Sequence, residues 1–201
     1  MMQLLARKLT LAQTKEIYDL YMGTDFPPEE LKPFYMIEDM WSRNHYFAYG
    51  FYETVTTVEG AREVLRAYAY FVADYEKQVL LLDYFAVIPN TRGNGYGSAA
   101  LQQLREICAG WKGIVIEVED NELAGNAAVR DIRNRRIAFY ARNGCHMTST
   151  KSFVFGVDYR IMVLPIADER VEEDMAQKVT GIYRCMHNEA LLKENFKITA
   201  E

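Results

Sequence analysis

The chain has 201 residues, half of them hydrophobic, with 28 acidic against 23 basic side chains and a formal net charge of −5. That length and apolar content supply one cored domain, and the acidic balance argues against an extended nucleic-acid surface and mildly favours cationic partners. No apolar run approaches the ~20 residues of a spanning helix, so no membrane role is expected.

In chain order, Met2 to Leu9 reads as a short first strand, and Thr10 with Gln13 forms a capping-box pattern opening a helix through Tyr21, which Gly23 ends. Asp25-Phe26-Pro27-Pro28 starts a second helical segment, whose continuation sets Phe34, Ile37 and Trp41 at helical spacing on an inward face. Tyr46 to Tyr52 and Val64 to Val72 are aromatic, β-rich runs around Glu59-Gly60, the pattern of an antiparallel hairpin. Leu80 to Val87 is an apolar strand run. A Gly-rich turn, Ile88 to Gly97, leaves it and feeds an amphipathic helix from Ser98 to Ala109, with Gly110 as its stop.

Further along, Ile114 to Glu119 alternates with period two, so Glu117 and Glu119 share one face. After a polar loop, a helix is predicted from Ala127 to Asn143, capped by Gly144. Ser152 to Val157 and Arg160 to Leu164 read as closing strands that turn near Gly156 to Tyr159. Beyond Pro165, Val171, Met175, Val179 and Ile182 recur at helical spacing. Gly181 is expected to interrupt, and a second helical piece carries Met186, Ala190 and Leu191. Without repeats or linkers, the chain reads as one domain over 1–201, with a core to about 165 and a helical extension over about 168–197.

The Gly-rich turn is the strongest functional signal. Glycines 93, 95 and 97 remove Cβ atoms that would block a ligand, and the following helix offers unpaired amides and its positive dipole end to an anion. A nucleoside-triphosphate loop would end Gly-Lys-Ser/Thr, whereas Ser98 and Ala99 follow Gly97 here. The dinucleotide spacing Gly-x-Gly-x-x-Gly is also absent.

What remains, Arg92-Gly93-Asn94-Gly95-Tyr96-Gly97, resembles the Arg/Gln-x-x-Gly-x-Gly/Ala acetyl-CoA signature of the GCN5-related N-acetyltransferase (GNAT) superfamily. A second block, Arg135 to Gly144, resembles that family's later helix, which closes on Phe/Leu-Tyr-x-x-x-Gly. Cys145 follows where an aromatic is usual, a local packing change. The resemblance covers about residues 46 to 164, with both motifs in the family's order.

The resemblance implies an α/β (α+β) GNAT-like fold: a mixed, mostly antiparallel sheet with two splayed parallel strands and flanking helices. It implies that Phe85, Ala86 and Val87 line the pantetheine arm and that Arg92, Gly93, Asn94, Gly95, Tyr96, Gly97 and Ser98 hold the diphosphate of acetyl-CoA. Tyr140 stands where the family keeps its general acid. Acetyl transfer to an amine also needs a base and oxyanion stabilisation. Glu119 is the first candidate base and Glu117 the second, against the alternative that both are solvent-facing sheet carboxylates. Asp83 ranks last, as an equally good structural acceptor.

Arg130, Arg133, Arg135 and Arg136 form a basic cluster, read chiefly as a solvated helix face. His45, His146 and His187 lack ligand spacing, so no metal is expected. Cys108 belongs to an apolar helix face and no nucleophilic role is expected for it. Phe34, Tyr35 and Trp41 point weakly to an apolar or cationic acceptor moiety.

The leading function is an acetyl-CoA-dependent N-acetyltransferase acting on a primary amine of a small molecule or peptide by direct attack in a ternary complex. The alternative is a non-catalytic acyl-CoA-binding regulatory domain, and a third reading makes the C-terminal helices a subunit-pairing device, compatible with a homodimer. Cys108, Cys145 and Cys185 are widely spaced and no leader-like run precedes Lys8, which fits the cytoplasm.

Overall fold

The computed structural model describes residues 4–200. Eight strands and seven α-helices of the described residues follow in the order β1 (Leu5–Lys8), α1 (Leu11–Ile17), α2 (Gly23–Asp25), α3 (Phe34–Ser42), β2 (Tyr46–Thr57), β3 (Gly60–Asp74), β4 (Val79–Val87), α4 (Tyr96–Ile107), β5 (Gly113–Glu119), α5 (Ala127–Arg142), β6 (His146–Val154), β7 (Val157–Pro165), α6 (Met175–Met186), α7 (Glu189–Asn195) and β8 (Phe196–Ala200). Strand neighbours run β1-β2-β3-β4-β5-β7-β6-β8. β1 pairs with β2, β2 with β3, β5 with β7, β6 with β7 and β6 with β8 antiparallel, while β4 and β5 are parallel, with Val79–Leu81 registered on Gly113–Val115. The sheet is therefore mixed, as expected.

The chain divides into two compact units, Met1–Val72 with Asp83–Ile107, and Ala73–Leu82 with Cys108–Glu201. In the first, α1 opens on the expected capping box: Thr10 Oγ1 accepts from Gln13 N–H, and the Gln13 side chain accepts from Thr10 N–H. Gly23 does not end the helical path. A π-helical turn, Tyr18–Met22, carries it into α2, and Gly23 keeps an ordinary right-handed φ of −65°. The second predicted helix is broken, because Pro33 disfavours helix in the residue before it and α3 starts afresh at Phe34. Its buried face is Ile37 and Met40, with Phe34 and Trp41 only half-buried.

The β2–β3 hairpin is longer than its aromatic runs, because Thr54 to Thr57 continue the ladder opposite Gly60 to Glu63. The core of this unit holds Tyr68, Tyr70, Phe51, Phe71, Ile37, Leu101 and Leu104, all nearly inaccessible. Its buried phenols need partners. Tyr70 donates to the Thr14 carbonyl at 2.6 Å, Tyr84 to the Glu30 carbonyl at 2.9 Å, and Tyr46 to Asp83 Oδ2 at 2.6 Å.

In the second unit, β6 and β7 meet at a two-residue turn, Phe155-Gly156, whose φ values of 46° and 92° are the left-handed pair a tight hairpin needs. The turn is tighter than the sequence suggested, and β7 begins at Val157. Helix α6 runs through Gly181 without interruption, because a Cβ there would overlap the Asp74 carboxylate: the glycine permits close approach instead of breaking the helix. The extension then ends in β8, antiparallel to β6 with Ser152 opposite Ile198. That strand was not anticipated. The expected first strand is present as Leu5–Lys8, and Met2 and Gln3 lie outside the described residues.

Candidate active site

Strand β4 delivers the Gly-rich turn. Ile88 N–H is bonded to the Arg66 carbonyl at 2.9 Å, and one 3-10 turn, Pro89–Thr91, leads to Arg92. Gly93 and Gly95 take φ of 84° and 86°, backbone that disfavours any residue with a Cβ, and the space where those Cβ atoms would stand is open. Residues 92–95 are exposed. The main-chain N–H groups of Gly93, Asn94, Gly95, Tyr96, Gly97 and Ser98 make no hydrogen bond to any described residue; the first occupied amide of the helix is Ala99, bonded to the Gly95 carbonyl at 3.0 Å. Six successive donors beside a helix N-terminus suit an anion, and they fit the diphosphate of coenzyme A.

The loop is anchored from both flanks by side chains. Tyr96, in the first turn of α4, donates to Glu53 Oε2 at 2.8 Å, and Arg66 Nη2 meets the same oxygen at 2.7 Å. Those two hydrogen bonds hold the Glu53 carboxyl below its ordinary value. Asn94 Nδ2 donates to the Thr91 carbonyl at 3.3 Å. Arg92 was expected to face phosphate; its Nε donates to the Val87 carbonyl at 3.1 Å and its Nη2 to Asp25 Oδ1 at 2.5 Å. Phe85 and Val87 are half-buried along β4 and Ala86 is buried. Asp83 is a structural acceptor: its side chain is 4% exposed and receives Lys32 Nζ and the Tyr46 hydroxyl, each at 2.6 Å.

In the second unit, the two β5 glutamates are treated differently by their surroundings. Glu119 is bound by Arg133 Nη2 at 2.7 Å and by Arg136 Nη1 at 3.2 Å. Two of the four clustered arginines are thus committed to it. Glu117 accepts from the Tyr183 hydroxyl at 2.7 Å on Oε2 and from Ser152 Oγ at 3.2 Å on Oε1. Sequence reasoning missed Tyr183, which lies on α6 in the extension. The one signal for it was helical spacing, which placed Val179 and Ile182 inward and Tyr183 beside them.

Tyr140 lies near the end of α5, which Asn126 caps by accepting from Val129 N–H at 3.0 Å and which Gly144 closes with φ of 84°. The Tyr140 ring is 8% exposed, and no described residue hydrogen-bonds its hydroxyl. Burial drives its pKa well above the usual phenol range, so the group stays protonated at any working pH. A neutral phenol with an unused donor can serve a departing sulfur.

The family model of the GNAT acetyltransferases matches residues 14–144, more than half of the chain. The chain belongs to the GNAT family. No curated protein matches it in sequence. Among solved structures, a GNAT-family acetyltransferase of Bacteroides thetaiotaomicron is 20% identical, with a TM-score of 0.63, 89% of this chain and 96% of that one covered. The ribosomal-protein-S18-alanine N-acetyltransferase of Escherichia coli is also 20% identical, at TM-score 0.52 over 82% of this chain and 95% of its own. A Bacillus subtilis acetyltransferase in complex with CoA is 12% identical, at TM-score 0.55 over 81% and 99%. At these identities the likeness is one of fold, and this GNAT protein shares the fold over most of its length. Among the described residues no group of three or more His, Cys, Asp and Glu converges on a metal position, and no helix is long and apolar enough to cross a membrane.

Proposed function

We propose that this GNAT protein is an acetyl-CoA-dependent N-acetyltransferase that acetylates a primary amine of a small molecule or peptide. The reading is carried by the six unoccupied main-chain donors from Gly93 to Ser98 on a glycine-shaped, exposed turn. The start of any helix leaves four such amides open, and here Gly93 and Asn94 extend the row to six. Two solved structures of the same fold add support, since one is named for an alanine N-acetyltransferase activity and another is a complex with CoA.

In this reading the amides from Gly93 to Ser98 grip the diphosphate, and residues Phe85 to Val87 border the pantetheine. The neutral amine attacks the thioester carbonyl, forming the C–N bond as the C–S bond breaks. A carboxylate of β5 takes the proton the amine gives up, and the Tyr140 hydroxyl donates to the sulfur that leaves. Glu119, the first choice from sequence, has both carboxylate oxygens engaged by guanidiniums, Arg133 on Oε1 and Arg136 on Oε2. We favour Glu117, which accepts from the Tyr183 and Ser152 hydroxyls. We place the reaction in the cytoplasm, where the thiols of Cys108, Cys145 and Cys185 would stay reduced.

Calorimetric titration with acetyl-CoA, followed by an amine panel scored for free thiol, tests the reading. Binding with amine-dependent thiol release is expected. No binding would remove the cradle. Binding without turnover on any amine would favour the non-catalytic acyl-CoA-binding domain that the same cradle also permits.

A further inference from the structure

We propose that the C-terminal extension of this protein supplies a positioning residue, Tyr183, which fixes Glu117 as the carboxylate that takes the acceptor's proton; the inference rests on the acetyltransferase reading above. Tyr183 belongs to α6, beyond the stretch 14–144 that matches the family model. The residue that sets the carboxylate therefore comes from outside that match.

The geometry is specific at both ends of the contact. Glu117 sits on β5 opposite Ile161 of β7, and Ser152 of β6 stands opposite Tyr159 of the same strand. Tyr183 donates to Oε2 at 2.7 Å and Ser152 Oγ to Oε1 at 3.2 Å. Tyr183 is itself clamped: it is 4% exposed, its ring lies 4.7 Å from Phe196 of β8 and 6.3 Å from the His187 ring, nearly parallel to the latter at 16°. A phenol wedged in this way has little rotamer freedom, so the hydrogen bond costs little further ordering and holds the carboxylate in one orientation.

The charged and titratable groups on the surrounding elements include Glu119 with its Arg133 and Arg136 partners from β5 and α5, Lys151 from β6, Tyr159 and Arg160 from β7, and Tyr183, Cys185 and His187 from α6 and its end. None of the variants below touches the Glu119 set.

The test uses the full chain, with Tyr183→Phe, Ser152→Ala and Glu117→Gln variants. The phenylalanine keeps the ring between Phe196 and His187 and removes only the donor. Loss of a donor to the charged form raises the carboxyl's pKa, so the acidic limb of kcat/KM should move up by about one pH unit, a tenfold loss of rate on that limb, with the KM for acetyl-CoA unchanged. Probe acceptors are spermidine and a hexapeptide with an N-terminal alanine. In parallel, 13C-carboxyl NMR follows the titration that vanishes in Glu117→Gln, and its midpoint should rise in Tyr183→Phe.

An unmoved midpoint overturns the link between Tyr183 and Glu117, whatever the activity. A raised midpoint with a stationary acidic limb overturns the proton-taking role. If the wild type turns over neither amine, the acetyltransferase reading is what has failed, and the NMR midpoint still decides the positioning contact. Should Tyr183→Phe fold poorly, Ser152→Ala must show the same upward midpoint shift, and its absence counts against the proposal.

Discussion

Asp25 and Arg92 form an ion pair of unequal exposure: the Asp25 side chain is fully buried and the Arg92 side chain is 54% exposed, with Nη2 and Oδ1 2.5 Å apart. Asp25 also receives the Tyr68 hydroxyl at 2.7 Å. The arginine that opens the Gly-rich signature is thereby tied to α2, and its Nε grips the Val87 carbonyl at the end of β4. Arg92 orients the turn from behind.

Removing the two partners should therefore have unequal effects. Arg92→Ala leaves a buried carboxylate with only a phenol donor and should destabilise the protein by about 2 kcal/mol, whereas Asp25→Asn keeps a hydrogen-bond acceptor and should cost about 1 kcal/mol. Urea denaturation of both variants and the double variant measures the difference. Equal losses would show that the charge at Asp25 contributes nothing to the pair.

Gly95 separates backbone strain from ligand approach. A Cβ at this position meets open space, so Gly95→Ala should cost only the penalty of its φ of 86°, about 1 kcal/mol. Gly95→Glu brings a bulky anion against the diphosphate and should abolish acetyl-CoA binding by calorimetry. Binding at wild-type strength in the glutamate variant would mean that the turn does not hold the cofactor.

Tyr140→Phe removes a hydroxyl that bonds to no described residue, so thermal stability and acetyl-CoA affinity should stay close to wild type. Turnover should fall by about 100-fold, the low end for loss of a positioned acid. A variant with unchanged kcat would withdraw the acid role from Tyr140.

The two β5 glutamates should part company on mutation. Glu119→Gln breaks a pair with Arg133, whose side chain is 18% exposed, and should cost about 1–2 kcal/mol of stability while retaining most activity. Glu117→Gln should do the reverse, lowering kcat with a smaller loss of stability. Paired melting and steady-state measurements distinguish the two patterns.

Alkaline pH should unfold this protein cooperatively. Burial raises the phenols of Tyr46, Tyr68, Tyr70 and Tyr140, and pushes Tyr84 up to about 12. A phenol with a raised folded pKa contributes stability that is intact below the unfolded value near ~10 and is lost as pH climbs through the folded one. Tyrosinate absorbance should therefore lag in the native state and rise together with loss of structure between pH 10 and 12. Full ionisation near pH 10 with structure intact would contradict the burial.

Elements that rest on short-range physics were legible from the chain's own order of residues. The capping box at Thr10, the period-two alternation of Ile114 to Glu119, the cap at Gly144 and the Gly-rich turn at Gly93 to Gly97 each depend on neighbours a few residues away. Those signals are written in consecutive residues, and they were enough to identify the family motifs.

Features that depend on residues far apart in the chain emerged with the three-dimensional packing. Gly181 has the composition of a helix breaker, yet contact with Asp74 makes it a packing position. Glu117 and Glu119 are the same residue type on the same face of one strand. Their difference comes from α5, which brings two guanidiniums to one, and from α6 and β6, which bring two hydroxyls to the other. Period and composition give the direction in which a side chain leaves its strand, whereas its protonation chemistry is set by the groups that long-range folding packs around it.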